Sequence, residues 1–280
     1  MKNIRLCAFA DEAGSALSEQ ISAMKQNGVD GLEIRFVDGK NVTELTETQA
    51  REIRKQLDGN GLFVWSIGSP IGKISLEDDI DAHMELFRKT LYLSDILGAE
   101  HFRLFSFFVG HGDCEKRQEE VFDNFNKFIE ISKNSDVLLC HENEKGIFGD
   151  TDERCLSLLN EFPTVRAVFD PANFVQCAVD TKKAWQLLSP YVEYMHIKDA
   201  KQNGGVVPAG KGDGNLKYLI DEYLKSGKNV LTVEPHLTVF DGLSKLETDG
   251  KRTEIGEFRY KTKSEAFSSA VDALKALLGE

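Results

Sequence analysis

Four side chains that can bind metal ions stand at the ends of apolar runs in the second half of the chain. The clearest run is residues 137–144, VLLCHENE, in which apolar residues lead to Glu142, and three later runs end at Asp170, His196 and Glu234. A buried parallel strand has this pattern when its carboxyl end opens into a site, because both faces are covered but that end is not. Three carboxylates and an imidazole form the mixed oxygen and nitrogen set that suits Mn²⁺, Mg²⁺, Co²⁺ or Zn²⁺.

The elements that must position these residues repeat along the whole chain. Strand-like runs begin near residues 4, 31, 62, 101, 137, 165, 191 and 229, and a helix-like segment follows each of them. Strands that alternate with helices predict a parallel sheet, and eight unbroken repeats predict a closed (β/α)8 TIM barrel. An open doubly wound sheet is the alternative, but its glycine fingerprint is missing from the sequence. We therefore expect residues 1–280 to form one α/β barrel domain.

A long segment without a regular pattern follows the eighth predicted strand. It spans residues 237–263 and contains several glycines. Loops of this length are uncommon in compact domains unless they are functional or disordered. Since the loop would lie on the catalytic face of a barrel, we expect it to act as a lid or as a subunit contact in a homo-oligomer.

Composition and charge limit the partners that this protein can have. The chain has 280 residues, 41% of them hydrophobic, and a formal net charge of −12. Nucleic-acid binding requires a basic surface, so we expect no nucleic-acid partner. The five cysteines are scattered without a Cys-x-x-Cys motif, which is typical of reduced thiols. The sequence also lacks an apolar leader and a membrane-spanning run, so we expect a cytoplasmic protein that binds no membrane.

The motifs around the four candidate ligands resemble those of the xylose isomerase-like TIM-barrel superfamily, the sugar phosphate isomerase/epimerase group. The resemblance is carried by HEN at 141–143, FDPAN at 169–173, HIKD at 196–199, GKG at 210–212 after Pro208, and VEP at 233–235. It covers the second half of the chain, and GLEIR at 31–35 supports it in the first half. The resemblance implies one divalent metal ion bound by the four candidate ligands. It also implies that Glu142 and Glu234 lie on opposite faces of a sugar and act as both ligands and acid/base groups.

This set of residues suits proton transfer beside a carbonyl group. A divalent cation that holds two substrate oxygens stabilises an enediolate, while one carboxylate removes a proton and another group returns it. Together with the resemblance, which implies a carbohydrate substrate, this leads us to expect a metal-dependent isomerase or epimerase of a sugar, a sugar acid or a sugar phosphate. A dehydratase that acts on a keto-polyol with the same ligands is the alternative. An endonuclease-like phosphodiesterase is disfavoured because it needs more histidines, and the complete ligand set argues against a non-catalytic sugar-binding protein.

Basic side chains at other strand ends are candidates for substrate binding. They are Arg35, Lys73, Arg103 and Lys198. One interpretation is that they face an anionic carbohydrate, such as a sugar phosphate or a sugar acid. The other is that they pair with internal acids, for example Arg35 with Glu33 or Glu12.

Three further residues complete the predicted substrate-binding set. Glu144 follows a strand end and is one candidate, and His236 is either a substrate contact or a supporting residue. Asn173 occupies the position at which many epimerases of the group carry a substrate-binding histidine. A lysine, Lys198 or Lys201, stands where several of them have an arginine. These differences leave the identity of the sugar open.

Overall fold

The core of the computed structural model, which describes residues 4–110, 112–240 and 258–280, is a closed barrel of eight strands. In chain order the strands are β1 (Arg5–Ala8), β2 (Gly31–Ile34), β3 (Phe63–Gly68), β4 (His101–Leu104), β5 (Leu138–Glu142), β6 (Arg166–Phe169), β7 (Val192–Ile197) and β8 (Val230–Val233). Each strand pairs in parallel with the next, and β8 pairs in parallel with β1 to close the ring. The predicted (β/α)8 barrel is confirmed.

Helices pack around the barrel, and local sequence explains where several of them begin and end. They are α1 (Leu17–Asn27), α2 (Glu47–Gly59), α3 (Ile80–Leu97), α4 (Gln118–Ser132), α5 (Asp152–Glu161), α6 (Pro171–Gln176), α7 (Thr181–Leu188), α8 (Leu216–Lys225) and α9 (Lys263–Leu278). The side chains of Thr151 and Asp180 accept backbone N–H groups and so cap α5 and α7. Gly28 ends α1 with a φ of 64°, a conformation that glycine adopts without steric cost.

The interior of the barrel is filled by side chains rather than by solvent. One buried cluster takes a single residue from each of six strands: Cys7, Trp65, Cys140, Val168, Tyr194 and Val230. Because these strands are distributed around the ring, the cluster plugs the barrel, as the layers of a packed barrel core do. A larger cluster joins the outer faces of the strands to the helices. Strands covered on both faces explain the nearly continuous apolar runs in the sequence.

Two short antiparallel strand pairs lie in the connections that follow β2 and β7. Phe36–Val37 pairs with Lys40–Asn41, and Asp199–Ala200 pairs with Val206–Val207. The long loop predicted after β8 lies largely outside the described residues, which include only residues 237–240 and 258–263 of it. No helix in the described part of the chain combines the length and the apolar character that crossing a bilayer requires.

Candidate metal centre

The four candidate ligands meet at the carboxyl ends of four neighbouring strands. Glu142 is the last residue of β5, Asp170 follows β6, His196 is the next-to-last residue of β7, and Glu234 follows β8. One ligand atom from each residue lies within 4.8 Å of the others, and all four residues are buried. Since β5, β6, β7 and β8 are adjacent in the ring, the closure of the barrel brings together side chains that are far apart in sequence.

One ring nitrogen of His196 lies among the three carboxylates of this four-residue cluster. Its Nδ1 atom is 3.1 Å from Glu142 Oε1, 3.5 Å from Glu234 Oε2 and 3.9 Å from Asp170 Oδ2. Burial acts to lower the pKa of His196, but the negative charges of Glu142 and Glu33 raise it to about 10. The cluster therefore favours positive charge at this point, either as a proton on the imidazole or as a bound cation.

Asp170 has a carboxylate oxygen suited to a metal ion. Its Oδ1 atom accepts the backbone N–H of Asn173 at 2.9 Å and so caps α6. Its Oδ2 atom is fully buried and accepts no well-directed hydrogen bond from the described residues, although Lys198 Nζ lies 2.7 Å away. Burial raises the pKa of Asp170 to about 7, with Lys198 acting in the opposite direction. A buried oxygen with unused acceptor capacity, beside three other ligand atoms, fits a divalent cation with oxygen and nitrogen ligands.

Glu142 and Glu234 each divide their two carboxylate oxygens between the cluster and a buried arginine. Glu142 Oε1 faces His196, while its Oε2 accepts a hydrogen bond from Arg103 NH1 at 2.9 Å. Glu234 Oε2 faces the same imidazole, while its Oε1 accepts from Arg35 NH1 at 3.0 Å. Burial acts to raise the pKa of both carboxyl groups, but the positive charges around them lower it below the usual value. Both glutamates are therefore ionised, with one oxygen held away from the cluster.

The two arginines are internal partners of these glutamates. Arg35 is buried and also contacts Asp11 at 2.9 Å and Glu12 at 3.0 Å. The expected pairing of Arg35 with Glu12 is thus present. Glu33, the other partner considered for Arg35, points instead toward His196.

The two lysines predicted to face a substrate are also paired. Lys198 Nζ lies 2.7 Å from Asp170 and 2.8 Å from Glu234. Lys73 Nζ lies 2.7 Å from Glu144, and their side chains keep 11% and 15% of their exposure, so this pair lies at the rim of the site. Burial acts to raise the pKa of Glu144, but Lys73 and other nearby lysines hold it well below the usual value.

Comparison with known proteins identifies the family. The family model described as xylose isomerase-like TIM barrel matches residues 21–250, which is more than half of the chain. The chain belongs to this family. The resemblance stated from its motifs is confirmed. No curated protein matches the sequence.

Solved structures of low sequence identity share the fold over nearly the whole chain. D-psicose 3-epimerase in the presence of D-fructose is 16% identical, with 99% of this chain and 100% of that chain covered and a TM-score of 0.72. The probable 3-DHS dehydratase AsbF involved in petrobactin synthesis, from Bacillus anthracis, is also 16% identical, with 97% and 98% covered and a TM-score of 0.72. The IOLI protein with a binding zinc atom is 15% identical, with 99% and 98% covered and a TM-score of 0.71. At these identities the likeness shows the fold alone.

Two asparagines tie the ligand-bearing strands of this family member to one another. Asn143 Nδ2 donates to the backbone oxygen of Asp170, and the backbone N–H of Asp170 donates to Asn143 Oδ1, both at 2.9 Å. Asn173 Nδ2 donates to Asn143 O at 2.9 Å and to Glu142 Oε1 at 3.3 Å. The short helix α6, which sequence patterns did not predict, places Asn173 in this position. The side-chain amide of Asn173 is therefore directed at Glu142, one of the candidate ligands.

His236 lies beside Arg35, the arginine that donates a hydrogen bond to Glu234 Oε1. Its backbone N–H donates to Glu12 Oε2 at 2.6 Å, and its ring Nε2 lies 3.4 Å from Glu12 Oε1 and 3.5 Å from Glu234 Oε1. These three residues form a second group of metal-ligating atoms. Arg35 NH1 lies only 3.5 Å from His236 Nε2, so a guanidinium already provides the positive charge there. Arg35, which contacts Glu12 and Glu234, is thus the cation of this second group in the structure.

The HIKD and GKG motifs meet through one buried carboxylate. Asp199 accepts the backbone N–H groups of Gly210 and Gly212 at 2.9 Å and that of Gly214 at 3.0 Å. A Cβ atom on Gly212 would lie 2.2 Å from Asp199 Oδ1, so only glycine fits this close approach. The contact fastens the loop after β7 beside the site.

The sequence did not assign Asp11, Glu12 and Glu33 to the site, although it offered Glu12 and Glu33 as possible partners of Arg35. Asp11 and Glu12 lie three and four residues after the end of β1 and contact Arg35, and Glu33 lies within β2. The available signal was a set of acidic residues inside or shortly after apolar strands of the first half, where a buried charge requires a partner. The sequence did not reveal which partner each of them has.

Proposed function

We propose that this protein is a divalent-metal-dependent sugar isomerase or epimerase that transfers a proton beside a carbonyl group through an enediolate. The observation that carries the proposal is the arrangement of Glu142 and Glu234. Both are buried and ionised, and each directs one oxygen at His196 while an arginine holds the other. Membership of the family and the similarity in fold to D-psicose 3-epimerase support the same reaction class.

The proposed ligands of the metal ion are Glu142, Asp170, His196 and Glu234. Manganese, magnesium, cobalt and zinc all accept this set of donors. When bound, the ion supplies electrophilic stabilisation of the negative charge that develops on the substrate oxygens. Asp170 Oδ2 is a feature of this chain that fits such an ion, because it is fully buried, lies beside the other ligand atoms and accepts no well-directed hydrogen bond from the described residues, although Lys198 Nζ lies 2.7 Å away.

The proton-transfer steps belong to the two glutamates. Glu142 Oε1 and Glu234 Oε2 are the proposed acceptor atoms, because they face the cluster while an arginine holds the other oxygen of each carboxylate. In the structure Glu234 Oε2 also accepts a hydrogen bond from Lys198 Nζ at 2.8 Å, so this lysine is the group that must release it. One glutamate removes the proton from the carbon beside the carbonyl, and the other returns a proton from the opposite side. Since a carboxylate held by a charged donor cannot rotate freely, Arg103 and Arg35 keep these atoms in place.

The ion pairs favour an uncharged substrate over an anionic one. The buried or half-buried cations predicted to meet an anion are Arg35, Lys73, Arg103 and Lys198, and each already contacts a carboxylate of the protein. An anionic substrate would have to displace one of these partners and leave it buried without a counter-charge, which is costly. We therefore propose a neutral ketose or a related neutral polyhydroxy carbonyl compound. Glu144 and Asn173 are the proposed partners for its hydroxyl groups.

A dehydratase is the second candidate function. The fold matches AsbF as well as it matches D-psicose 3-epimerase, with a TM-score of 0.72 in both cases. Removal of water beside a carbonyl begins with the same proton abstraction, so the same pair of glutamates serves this reaction. An endonuclease-like phosphodiesterase is less consistent with the site, because His196 is the only histidine of the four-residue cluster.

The function is tested by a screen in heavy water with added Mn²⁺, Mg²⁺, Co²⁺ or Zn²⁺. Neutral sugars, sugar acids and sugar phosphates are incubated with the protein, and mass spectrometry follows deuterium incorporation and product mass. An isomerase or epimerase introduces solvent deuterium without loss of water, whereas a dehydratase produces a compound lighter by one water. Absence of both exchange and turnover across the panel, with metal bound, would contradict proton-transfer chemistry.

Glu234→Gln tests the assigned acid/base role. This variant should keep its fold and lose at least about 100-fold in turnover, since that is the usual contribution of a general base. Glu161→Gln, which changes an exposed carboxylate at the end of α5, is the matched control and should retain activity. Unchanged turnover of Glu234→Gln would remove the glutamate from the mechanism.

A further inference from the structure

Glu33 lies on the opposite side of the His196 ring from the three carboxylates of the four-residue cluster. Its Oε2 atom is 3.0 Å from His196 Nε2, while Nδ1 of the same ring lies 3.1 Å from Glu142 Oε1. The side chains of Glu33 and His196 are both completely buried. A single imidazole therefore connects Glu33, on β2, to the proposed metal centre.

Glu33 is itself held in place by other side chains. Its Oε1 atom accepts a hydrogen bond from Tyr194 OH at 3.0 Å, and Arg103 Nε lies 3.8 Å away. Tyr194 OH also lies 3.1 Å from Ser66 Oγ, and Ser66 is paired with Glu33 in the register between β2 and β3. The carboxylate therefore has a fixed position from which it meets the histidine ring.

The chemistry of these groups determines where the imidazole proton lies when a metal ion is bound. A neutral imidazole carries one proton, and an ionised carboxylate can only accept a hydrogen bond. A proton on Nε2 satisfies Glu33 and leaves the lone pair of Nδ1 directed at the cluster. A proton on Nδ1 would place two lone-pair-bearing atoms, Nε2 and Glu33 Oε2, against each other at 3.0 Å. The first arrangement is the one that carboxylates commonly impose on metal-binding histidines.

We propose that Glu33 is the positioning residue of His196: it holds the imidazole with its proton on Nε2 and thereby presents Nδ1 as the metal-binding atom. The inference rests on the metal centre of the proposed function. It concerns metal binding and the ring proton alone, so it is tested without turnover. If a substrate screen finds no activity, the proposed role of Glu33 is unaffected. If His196 carries its proton on the other nitrogen, the proposed acid/base role of Glu142 and Glu234 is unaffected.

The first test is a direct measurement on the unaltered protein. The ring nitrogens of the six histidines are observed by ¹⁵N NMR with Zn²⁺ as a diamagnetic probe, and His196→Asn assigns the signal. On addition of zinc, Nδ1 of His196 should shift to the range of a metal-bound nitrogen while Nε2 stays protonated and hydrogen-bonded. Zinc bound to Nε2, or an Nε2 without a proton, would overturn the proposal.

The second test compares two variants of the same hydrogen-bond network. Glu33→Gln keeps the size of the side chain and removes its charge, and it should weaken zinc binding, measured by calorimetry, by about 10- to 100-fold. Tyr194→Phe removes a hydrogen bond to the same carboxylate but leaves the contact between Glu33 and His196, so its zinc affinity should stay within about threefold of the unaltered protein.

Two calorimetric results would contradict a positioning role. One is a folded Glu33→Gln variant with unchanged zinc affinity. The other is an equal loss in Tyr194→Phe, since that would indicate general loosening of the barrel interior rather than an effect on the ring. If Glu33→Gln does not fold, the NMR measurement on the unaltered protein decides.

Discussion

Arg35 NH1 lies 3.0 Å from Glu234 Oε1, in a pair of side chains that are only 1% and 4% exposed. The same guanidinium contacts Asp11 and Glu12, so one buried arginine is shared by three buried acidic side chains. Burial raises the pKa of Glu12 to about 8 even though Arg35 acts in the opposite direction. The proposed acid/base residue is thus part of a buried charge cluster in which Arg35 is shared by three acidic side chains, and Lys198 is a second cation in contact with Glu234.

Replacement of this arginine should destabilise the fold strongly. In Arg35→Met, three carboxylates lose their shared cation, and removal of one partner from a buried ion pair usually costs about 3–5 kcal/mol of unfolding free energy. Urea denaturation at neutral pH measures the loss. Arg51→Met removes an arginine whose partner Glu47 is exposed and should scarcely change the urea midpoint. Similar midpoints for the two variants would show that the buried cluster does not depend on Arg35.

The barrel was predictable because its signals are local in the sequence. Apolar runs of strand length, caps such as Asp180 and helix-ending glycines such as Gly28 each report on a few neighbouring residues. The position of the candidate ligands at strand ends follows from the same pattern. Once eight strands close into a ring, their carboxyl ends lie on one face of the barrel, so the apolar runs place Glu142 and Glu234 on that face.

The pairing of the charged side chains was not predictable in the same way. Arg35 and Glu234 are 199 residues apart, and His196 and Glu33 are 163 residues apart. Such contacts depend on the direction of each side chain in the closed ring, about which a single sequence carries no local signal. The basic residues therefore allowed two interpretations, and the three-dimensional arrangement favours internal pairing.

Metal binding should stabilise the folded protein through mass action. At a Mn²⁺ or Zn²⁺ concentration about 100 times the dissociation constant, the unfolding free energy should rise by about 2.7 kcal/mol. Asp170→Asn removes the carboxylate charge of one proposed ligand and should abolish most of this gain. Thermal melts with metal and with a chelator measure it.

A matched carboxylate variant controls for charge. Asp81→Asn alters an exposed residue in the first turn of α3 and should retain the full response to metal. An equal response in Asp170→Asn would place the ion elsewhere.

Glu144→Gln should shift substrate preference toward anions. The substitution releases Lys73 from its partner at 2.7 Å and leaves a cation at the rim of the site. The ratio of kcat/KM for a sugar phosphate or sugar acid to that for its neutral counterpart should rise about tenfold, which corresponds to about 1.4 kcal/mol. Steady-state kinetics on matched neutral and anionic substrates measure the ratio. A preference for anions in the unaltered protein would contradict the proposed neutral substrate.

Acid should destabilise the protein through the protonation of His83. The position of this residue on a helix predicts a solvated side chain. The structure instead buries it to 8% exposure, and its Nε2 accepts the backbone N–H of Gly72 at 2.8 Å. Burial lowers the pKa of His83 to about 4. Because the unfolded chain binds this proton more readily, the stabilisation is complete above about pH 6.5 and is lost as pH falls toward 4, by about 3 kcal/mol. His83→Gln keeps an acceptor but cannot titrate. The unaltered protein should therefore lose unfolding free energy relative to this variant as the pH falls. Parallel pH profiles of the two proteins would refute this assignment.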